Sequence, residues 1–406
     1  MNHSLIATVL LMTTAVSMPH GADAATFGED VAFLRSHTDI IVLSDKKGQA
    51  KAAIAPSWQG RVMTSTAGSD AGLGFGWINR ELIASGQRLP HMNAFGGEDR
   101  FWMGPEGGQF SVYFAKGAAF DLAHWFVPAP FDTLPFNTVR QSRDRASFAL
   151  EFALTNYSGA RFQVAVNREV RLLSTTTAWK KLGQPPAGSV SLVAFESDNR
   201  VSNAGTNLWQ KDTGLLSIWI LGMFTPSPAA TIVVPIKDGP ESELGAKVTS
   251  DYFGAIPPER LVILPNLIML RADGKFRSKI GISPRRSKGV LGAYDAEHQV
   301  LTIVQFDQPA DAADYVNSLW KLQDNPYGGD AANSYNDGPP APGAKPLGPF
   351  FEMESSSPAG ALAPGQSLSH VHRTIHLTGP ETALDPVARA VLGVSLEKVK
   401  SAFGAP

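Results

Sequence analysis

Cysteine is absent from this chain of 406 residues, so disulfide bonds and thiolate chemistry are excluded. Neither sign of charge dominates, because 35 Lys and Arg stand against 37 Asp and Glu, which gives a net charge of −2. This balance gives no electrostatic reason to expect a nucleic-acid partner, and no polybasic cluster indicates a membrane surface. No segment reaches about 18 uninterrupted apolar residues, so the sequence predicts no membrane span.

Helix signals are few and lie near the two ends of the chain. Phe27–Ser36 is predicted to form a short helix, and Asp385 with Pro386 has the N-cap and first-turn pattern of another. Ser395 is the predicted cap of a second C-terminal helix that ends at about Phe403.

Between these ends, short apolar or alternating runs recur, separated by turns that draw on 38 glycines and 29 prolines. Examples are residues 110–114, 147–154, 161–170, 190–195, 215–220, 231–236, 261–264 and 300–306. Repeated alternation of strands and helices is absent, which argues against a doubly wound α/β fold. With 43% hydrophobic residues for a packed core, the chain is predicted to form a large all-β sandwich or barrel.

The N-terminal segment has the pattern of a signal peptide. Leu5–Val16 is an apolar run too short to span a bilayer, and Ala22–Ala24 has the small-x-small form of a cleavage site before Ala25. The alternative is a buried N-terminal helix. We expect removal of residues 1–24, and a single domain over 25–406 with a helical tail at about 383–403. The mature protein is expected in the periplasm or outside the cell.

Two strand-like runs near the C-terminus, within Leu347–Leu377, carry polar residues at even-numbered positions, so that they fall on one face of each strand. The first run carries Glu352 and Glu354, and the second carries three histidines, at positions 370, 372 and 376. Because strand side chains point alternately to opposite faces, the glutamates share one face and the histidines share another. If the strands pair or lie in facing sheets, these groups could converge on one surface, which is a candidate active site.

A second polar segment, His91–Phe110, places charged residues and a tryptophan between two Gly-Gly pairs. Its candidate ligand-binding residues are Glu98, Asp99, Arg100, Trp102 and Glu106. An aromatic ring beside carboxylates and a guanidinium suits a polyhydroxylated ligand, because the ring covers C–H faces while the charged groups bond hydroxyls. The alternative is structural, with Arg100 pairing a neighbouring carboxylate and Trp102 in the core.

Two further segments offer binding residues. Lys275, Arg277 and Lys279 alternate along one predicted strand face, and three aligned cations suit an acidic sugar or another carboxylate-bearing substrate. The alternative is an exposed strand face. Tyr335 and Asn336 belong to a polar loop whose Asn, Asp and Tyr residues occur in sugar-binding loops and equally in ordinary turns.

No cofactor is required by these patterns, but a divalent metal remains open. The His370-x-His372 spacing can bind a transition metal if a carboxylate or third histidine joins it, and the candidates for that role are Glu352, Glu354 and His376. The alternative is a polar strand without metal. Calcium in the acidic loop at residues 330–337 is a further option, although the spacing is not that of an EF-hand.

Five segments together resemble a family of exported, mostly uncharacterised bacterial proteins of the galactose-mutarotase-like superfamily. They are GGEDRFWMGPEGGQF from Gly96, ESDNRVSN from Glu196, DGKFRSKIGISP from Asp273, NPYGGDAANSYNDGP from Asn325 and FFEMESSSPAGALAPGQS from Phe350. The resemblance implies an all-β fold, a galactose-mutarotase-like β-supersandwich with a concave sugar-binding face. Short helices are expected at its N- and C-terminal ends.

In the aldose 1-epimerases of that superfamily, a late-strand glutamate ahead of a Pro-Gly-Glu turn acts as the general base. The resemblance makes Glu354 its counterpart, although Gln366 stands where the turn usually has glutamate. An epimerase also needs a histidine acid, commonly in a His-x-Tyr context that this sequence does not match. His370 and His124 are the candidates for the acid.

The function predicted from these observations is that of a carbohydrate-active protein. It would use general acid/base chemistry, mutarotase/epimerase-like or lyase-like, with Glu354 as base. Hydrolysis is less favoured, because Glu352 and Glu354 lie on one strand and do not readily flank a glycosidic bond. His372 joins the candidate binding residues. The alternative function is a non-catalytic carbohydrate-binding protein of the envelope. The expected partner is a carbohydrate ligand, and the oligomeric state is left open.

Overall fold

The computed structural model of the chain describes residues 25–404, in which strands predominate over short helices. The predicted signal segment, residues 1–24, lies outside the described residues. The strands are β1 (Ile41–Ser44), β2 (Lys51–Ala55), β3 (Arg61–Thr66), β4 (Arg100–Gly104), β5 (Asn137–Gln141), β6 (Arg145–Thr155), β7 (Arg161–Leu172), β8 (Ser191–Asn203), β9 (Ser217–Phe224), β10 (Ala230–Pro235), β11 (Leu261–Ile263), β12 (Leu267–Arg271), β13 (Ser278–Ile282), β14 (Val290–Asp295), β15 (Val300–Phe306), β16 (Ala332–Asn336), β17 (Phe351–Ser356) and β18 (Ser367–Thr378).

The strands form three sheets, and their pairings are antiparallel. A ten-stranded sheet has the order β11-β12-β10-β14-β15-β18-β8-β7-β6-β5, and a five-stranded sheet has the order β13-β16-β17-β9-β4. A small sheet consists of β1, β2 and β3. The predicted all-β architecture is confirmed. No helix within residues 25–404 is long and apolar enough to cross a membrane.

The helices are short and lie at the ends and in the connections. They are α1 (Phe27–Arg35), α2 (Arg80–Ser85), α3 (Ala129–Asp132), α4 (Thr175–Leu182), α5 (Glu241–Leu244), α6 (Glu381–Leu392) and α7 (Leu396–Lys400). A capping box fixes the start of α1, because Thr26 Oγ1 accepts from the Glu29 N–H while the Glu29 carboxylate accepts from the Thr26 N–H. The predicted N-terminal helix is therefore found within one residue of its predicted end.

The predicted start of the first C-terminal helix is wrong. Helix α6 begins at Glu381, and Pro386 lies inside it. Asp385 has another role than N-cap: its carboxylate accepts from the Leu396 N–H at 2.8 Å, at the beginning of α7, and from Arg389 Nε at 2.6 Å. The second predicted cap is found, since Ser395 Oγ accepts from the Lys398 N–H at 3.2 Å.

The ten-stranded sheet is covered on both faces. Helices α4, α6 and α7 pack on one face, where Trp179 and Leu384 join a core with Ile375 and Leu377 of β18. The opposite face of β18 meets the five-stranded sheet. This second contact contains polar side chains as well as apolar ones, and we call it the inter-sheet polar layer; its members are Glu98, Asp99, Arg168, Ser355, His370, His372 and His376.

Each member of the inter-sheet polar layer has a buried partner. Ser355 Oγ of β17 lies 2.7 Å from His370 Nε2 and 2.8 Å from His372 Nδ1. His376 Nε2 lies 2.8 Å from a carboxylate oxygen of Glu98. Asp99 accepts from the guanidinium of Arg168 at 2.5 Å. Buried polar groups are tolerable when they are hydrogen-bonded in this way.

The expected convergence of glutamates and histidines does not occur. Ser355 points from β17 towards the histidines of β18, so its neighbour Glu354 points to the opposite face of the five-stranded sheet, and so does Glu352. Strands β17 and β18 belong to facing sheets, which was one of the two expected arrangements. The glutamates, however, lie on the face of the five-stranded sheet that points away from the histidines. A metal site that combines these histidines with these glutamates is therefore ruled out by the strand geometry.

The buried histidines predict a pH-dependent stability. Burial lowers the pKa of His370 to about 3 and the pKa of His372 to about 4, whereas each imidazole titrates near 6.5 in an unfolded chain. Between these values the unfolded chain binds more protons, so their stabilising contribution is complete above pH 6.5 and is lost as pH falls towards the folded-state values. We expect a loss of about 1.4 kcal/mol per pH unit for each imidazole.

Denaturant unfolding at pH 7, 6 and 5 measures this slope. The slope should decrease in His370→Gln, which removes one buried imidazole, and stay unchanged in His124→Gln, which removes an exposed one. A slope that is the same in His370→Gln and in the parent chain would contradict the assignment.

Candidate active site

The outer face of the five-stranded sheet carries a cleft with a volume of about 180 Å³. Three rows of directly opposed residues lie on this face of the sheet, and those members that line the cleft form its floor. The first row is Lys279, Tyr335, Glu352 and Met223; the second is Asn333, Glu354, Leu221 and Arg100; the third is Ser356, Trp219 and Trp102. Because opposed residues in paired strands share a face, the sheet itself sets the spacing of these groups.

Loops raise the walls of the cleft around this floor. They contribute, among others, Glu106, Trp125, Phe253, Arg277, Trp320, Asp337, Lys345 and Phe350. The volume corresponds to about six water molecules at their liquid density, which suits a small ligand. The combination of an apolar wall with a few convergent polar groups is typical of ligand sites.

Four tryptophans dominate one side of the cleft. Trp102 and Trp219 meet edge to face with ring centroids 5.6 Å apart, and Trp125 stacks on Trp320 at 5.7 Å. The indole N–H groups of Trp102 and Trp125 are buried, and no acceptor for either is present among residues 25–404. A buried donor without a partner is unfavourable, so each of these two N–H groups would gain a hydrogen bond from a ligand or water molecule that reached it.

Buried ion pairs lie at the floor of the cleft. Arg100 pairs with Glu352. Lys279 Nζ lies 3.1 Å from Glu354 Oε2, which also accepts from Trp219 Nε1 at 2.9 Å. Glu352 lines the cleft, whereas Glu354 is fully buried one layer beneath the lining, behind Lys279 and Trp219. Glu354 Oε1 has no partner among the described residues.

Several ionisable groups in the cleft have shifted pKa values. Burial raises the pKa of Glu352 to about 8, a shift that Arg100 opposes and the Glu354 charge reinforces. Burial also raises the pKa of Glu106. Burial would lower the pKa of Lys279, but the surrounding Glu354, Glu106 and Glu352 charges raise it. A perturbed group in a cleft is a functional-site candidate.

The structure brings together about half of the residues predicted from the sequence. Those that line the cleft are Arg100, Trp102, Glu106, Arg277, Lys279, Tyr335 and Glu352. Glu354 lies directly beneath them.

Four predicted residues lie in the inter-sheet polar layer instead. Asp99 alternates with its neighbour Arg100 and so points inward, to Arg168. His370 and His372 belong to β18 of the ten-stranded sheet and bond Ser355 between the sheets. Glu98 precedes β4 after two glycines with φ of 96° and 109°, so strand alternation does not set its direction. None of these four lines the cleft, which corrects their assignment as ligand-binding or catalytic groups.

Three other predicted residues lie elsewhere outside the cleft lining. Lys275 is exposed in a turn. Because β13 begins only at Ser278, Lys275 and Arg277 precede the strand, and the three predicted cations do not share one strand face. Asn336 is buried, and its amide donates to the Phe276 carbonyl at 2.9 Å. His124 is exposed and pairs with Asp121 at 2.7 Å.

The possible metal ligands are also dispersed. Asp330 accepts from the Tyr252 O–H at 2.5 Å, and Asp337 accepts from the Tyr335 O–H at 2.6 Å, so the acidic loop does not gather its carboxylates around one point. In the part of the chain that the structure describes, one group of side chains brings its potential ligand atoms within 4.8 Å of one another: Asp295, Glu297 and His298, in a surface turn. Exposed acidic groups of this kind are common without a metal.

Sequence reasoning missed much of the aromatic wall. Trp219 lies in β9, a fully buried strand whose composition carries no sign of a ligand site. Trp125 follows His124, the predicted candidate acid, and Trp320 lies in a long connection between β15 and β16. Only the folded chain brings these rings together.

The chain belongs to a protein family of unknown function, DUF6786, whose family model matches residues 25–403. The prediction of such a family is thereby confirmed. No curated protein sequence matches the chain.

Three solved structures are similar to this one over most of their length. A putative aldose 1-epimerase from Escherichia coli K12 is 13% identical, with 84% of this chain and 99% of that chain covered at a TM-score of 0.48. A putative mutarotase from Salmonella typhimurium is 12% identical, with 85% and 92% covered at 0.46. A galactose mutarotase-like protein from Lactobacillus casei is 10% identical, with 84% and 100% covered at 0.45.

The buried Lys279–Glu354 pair predicts strong coupling between two positions. Lys279→Met leaves a buried carboxylate without its cation, so we expect a loss of about 3 kcal/mol in the free energy of unfolding. Adding Glu354→Gln removes the uncompensated charge and should restore most of that loss. Denaturant unfolding of the single and double variants measures the coupling.

Lys51→Met is the matched control, because Lys51 pairs with an exposed partner, Asp70. Its loss should not exceed about 1 kcal/mol. Additive losses in the Lys279→Met, Glu354→Gln double variant would show that the two side chains do not depend on each other.

Proposed function

We propose that the protein binds a saccharide in the cleft and acts on it by general acid/base chemistry. The observation that carries this proposal is the coincidence of an aromatic wall with buried carboxyl groups on one small floor. Trp102, Trp125 and Trp219 stand beside Glu352, which lines the cleft, and Glu354, which lies just beneath.

The wall and floor match the two surfaces of a sugar ring. Aromatic rings cover its apolar C–H faces, while its hydroxyls need both donors and acceptors. The unpartnered indole N–H groups of Trp102 and Trp125 supply donors, and the carboxyl groups of Glu106 and Glu352 supply acceptors. The small volume of the cleft favours a single ring over a long segment of chain.

The chemistry we propose is of the mutarotase type. A base removes the proton of the anomeric hydroxyl while an acid protonates the ring oxygen, so the hemiacetal opens and can reclose on the other face. We assign the base to Glu354, whose Oε1 is unpartnered while Oε2 is held by Lys279 and Trp219. We assign the acid to Glu352, since its raised pKa favours the protonated form near neutral pH.

A second candidate function is binding without catalysis. The observation that favours it is the position of Glu354, which is fully buried beneath the lining instead of facing the cleft directly. For this second function, Glu354 holds Lys279 and Trp219 in place and takes no part in proton transfer. The two functions predict different outcomes for Glu354→Gln.

Proton NMR of mono- and oligosaccharides with the purified protein tests the proposal. We expect faster equilibration of anomers in the parent chain, and a rate at least about 100-fold lower in Glu354→Gln, since a positioned base contributes about that much. Glu297→Gln makes the same change on an exposed surface turn and should leave the rate unaltered.

The other outcomes separate the alternatives. Vinylic signals that vanish in Glu354→Gln would indicate a lyase. Selective broadening of ligand signals without turnover, unchanged in Glu354→Gln, would leave a binding protein and remove the base assignment. No effect on any sugar would reject the carbohydrate proposal itself.

The assignment of Glu352 as acid predicts a pH profile. An acid must be protonated, so the rate should be sustained below its pKa of about 8 and decline as pH rises through that value. Glu352→Gln should lower the rate and abolish this decline. A decline that persists in Glu352→Gln would assign it to another group.

We also propose that the protein is exported, on the basis of the apolar run and small-x-small site that precede Ala25. N-terminal sequencing of the protein from a fractionated bacterial culture should find Ala25 as the first residue in the periplasm or medium. Intact protein that retains residues 1–24 in the cytoplasm would contradict this.

A further inference from the structure

Two cations at the mouth of the cleft have no carboxylate within ion-pair distance. Arg277 and Lys345 both line the cleft, and within residues 25–404 neither forms an ion pair. The cations of the floor differ, because Arg100 is paired with Glu352 and Lys279 with Glu354. Each cation of the floor thus has a carboxyl partner, whereas Arg277 and Lys345, at the mouth, have no ion-pair partner among the described residues.

Arg277 is held in place by aromatic contacts. Its guanidinium carbon lies 3.8 Å from the centroid of the Phe253 ring, and Phe253 in turn meets Tyr335 edge to face at 5.9 Å. A guanidinium that stacks on a ring keeps its N–H groups in the plane of the stack, where they can bond two oxygens of one anionic group. The stacking thus orients the cation without neutralising it.

Two carboxyl groups that line the cleft, Asp337 and Glu106, lie close enough to Arg277 to feel its charge, but neither forms an ion pair with it. Asp337 accepts from the Tyr335 O–H at 2.6 Å and from the Gly348 N–H at 2.9 Å. Burial raises the pKa of Asp337, while the hydrogen bonds from Tyr335 and Gly348 and the charge of Arg277 oppose that shift. Asp337 is thereby engaged with Tyr335 and Gly348, and Arg277, which lies beside the same Tyr335 hydroxyl, forms no ion pair with it.

Lys345 lies in the connection between β16 and β17, which arches over the cleft. This connection contains prolines at 339, 340, 342, 346 and 349. Each proline fixes one backbone φ angle, so the connection has fewer conformations to lose when it closes on a ligand. Lys345 is exposed and lines the same cleft as Arg277.

We infer that the sugar bound in the cleft carries an anionic group, a carboxylate or a phosphate, and that Arg277 and Lys345 bind it at the mouth. This inference rests on the proposed carbohydrate function and names the class of sugar. The ring lies against the tryptophan wall, and its anionic substituent points outward to the two cations. Neutral sugars would leave Arg277 and Lys345 without a partner.

Isothermal titration of the purified full chain with matched sugars tests the inference. The ligands are glucose, glucuronate, galactose, galacturonate and glucose 6-phosphate at constant ionic strength. We expect at least one anionic sugar to bind about tenfold or more tightly than its neutral parent, the gain given by hydrogen bonds to a charged group. Preference for the uronates or for the sugar phosphate identifies the anionic group.

The variants connect the preference to the two cations. Arg277→Ala should reduce the affinity for the anionic sugar about tenfold and that for the neutral parent less than about twofold. Arg277→Lys should recover part of the loss, because it keeps the charge without the planar fork. Lys345→Ala, which removes an exposed side chain, should give a loss of about threefold. Lys288→Ala removes an equal charge from an exposed site away from the cleft and should have no effect.

The failure of this inference differs from the failure of the proposed function. Equal affinity for neutral and anionic sugars would overturn the inference and leave carbohydrate binding intact. An anionic preference that survives both Arg277→Ala and Lys345→Ala would overturn the assignment of these cations. Absence of binding by every sugar would overturn both proposals.

Discussion

The alternation of side chains along β17 is the constraint on which the rest of the structure depends. Ser355 points inward and bonds His370 and His372 of β18, which joins the two large sheets. Its neighbours Glu352 and Glu354 must then point outward to the cleft side. A shift of one residue in the pairing of this strand would exchange these faces, burying two carboxylates against the histidines and exposing the hydroxyl. The core between the sheets and the site outside them are thus fixed by one register.

Charge compensation is the second condition for such a site. A carboxylate removed from water is costly unless a cation or hydrogen-bond donors accompany it. The floor meets this condition through Arg100 with Glu352 and through Lys279 with Glu354. The cations at the mouth, Arg277 and Lys345, need less charge compensation, because they retain contact with solvent. The floor of the cleft thus contains paired cations, and the mouth contains cations without an ion-pair partner among the described residues. This difference between floor and mouth can orient a polar ligand in the cleft.

Several features of the fold were predictable because they follow from local physics. Alternating apolar runs with Gly and Pro turns indicated a sheet protein, and the Ser395 cap and the Phe27 helix follow from hydrogen bonds within one turn. The cleft residues near Arg100 and Lys279 were predicted from chemical type within short segments. The prediction of site residues failed where the direction of a side chain depended on a partner far away in the sequence. Glu98 bonds His376, 278 positions along the chain, and no local pattern specifies that contact.

The sequence by itself determined the all-β class, the membership of the family, and the parity that places Glu352 with Glu354 and His370 with His372. These properties follow from composition, motifs and the two-residue period of a strand. Only the tertiary structure decided which sheet each strand joined, and hence that Glu352 lines a tryptophan-walled cleft with Glu354 directly beneath it, while the histidines are buried between the sheets. The physical reason is that burial and charge compensation depend on contacts between residues far apart in the chain, such as Arg100 with Glu352 across 252 positions.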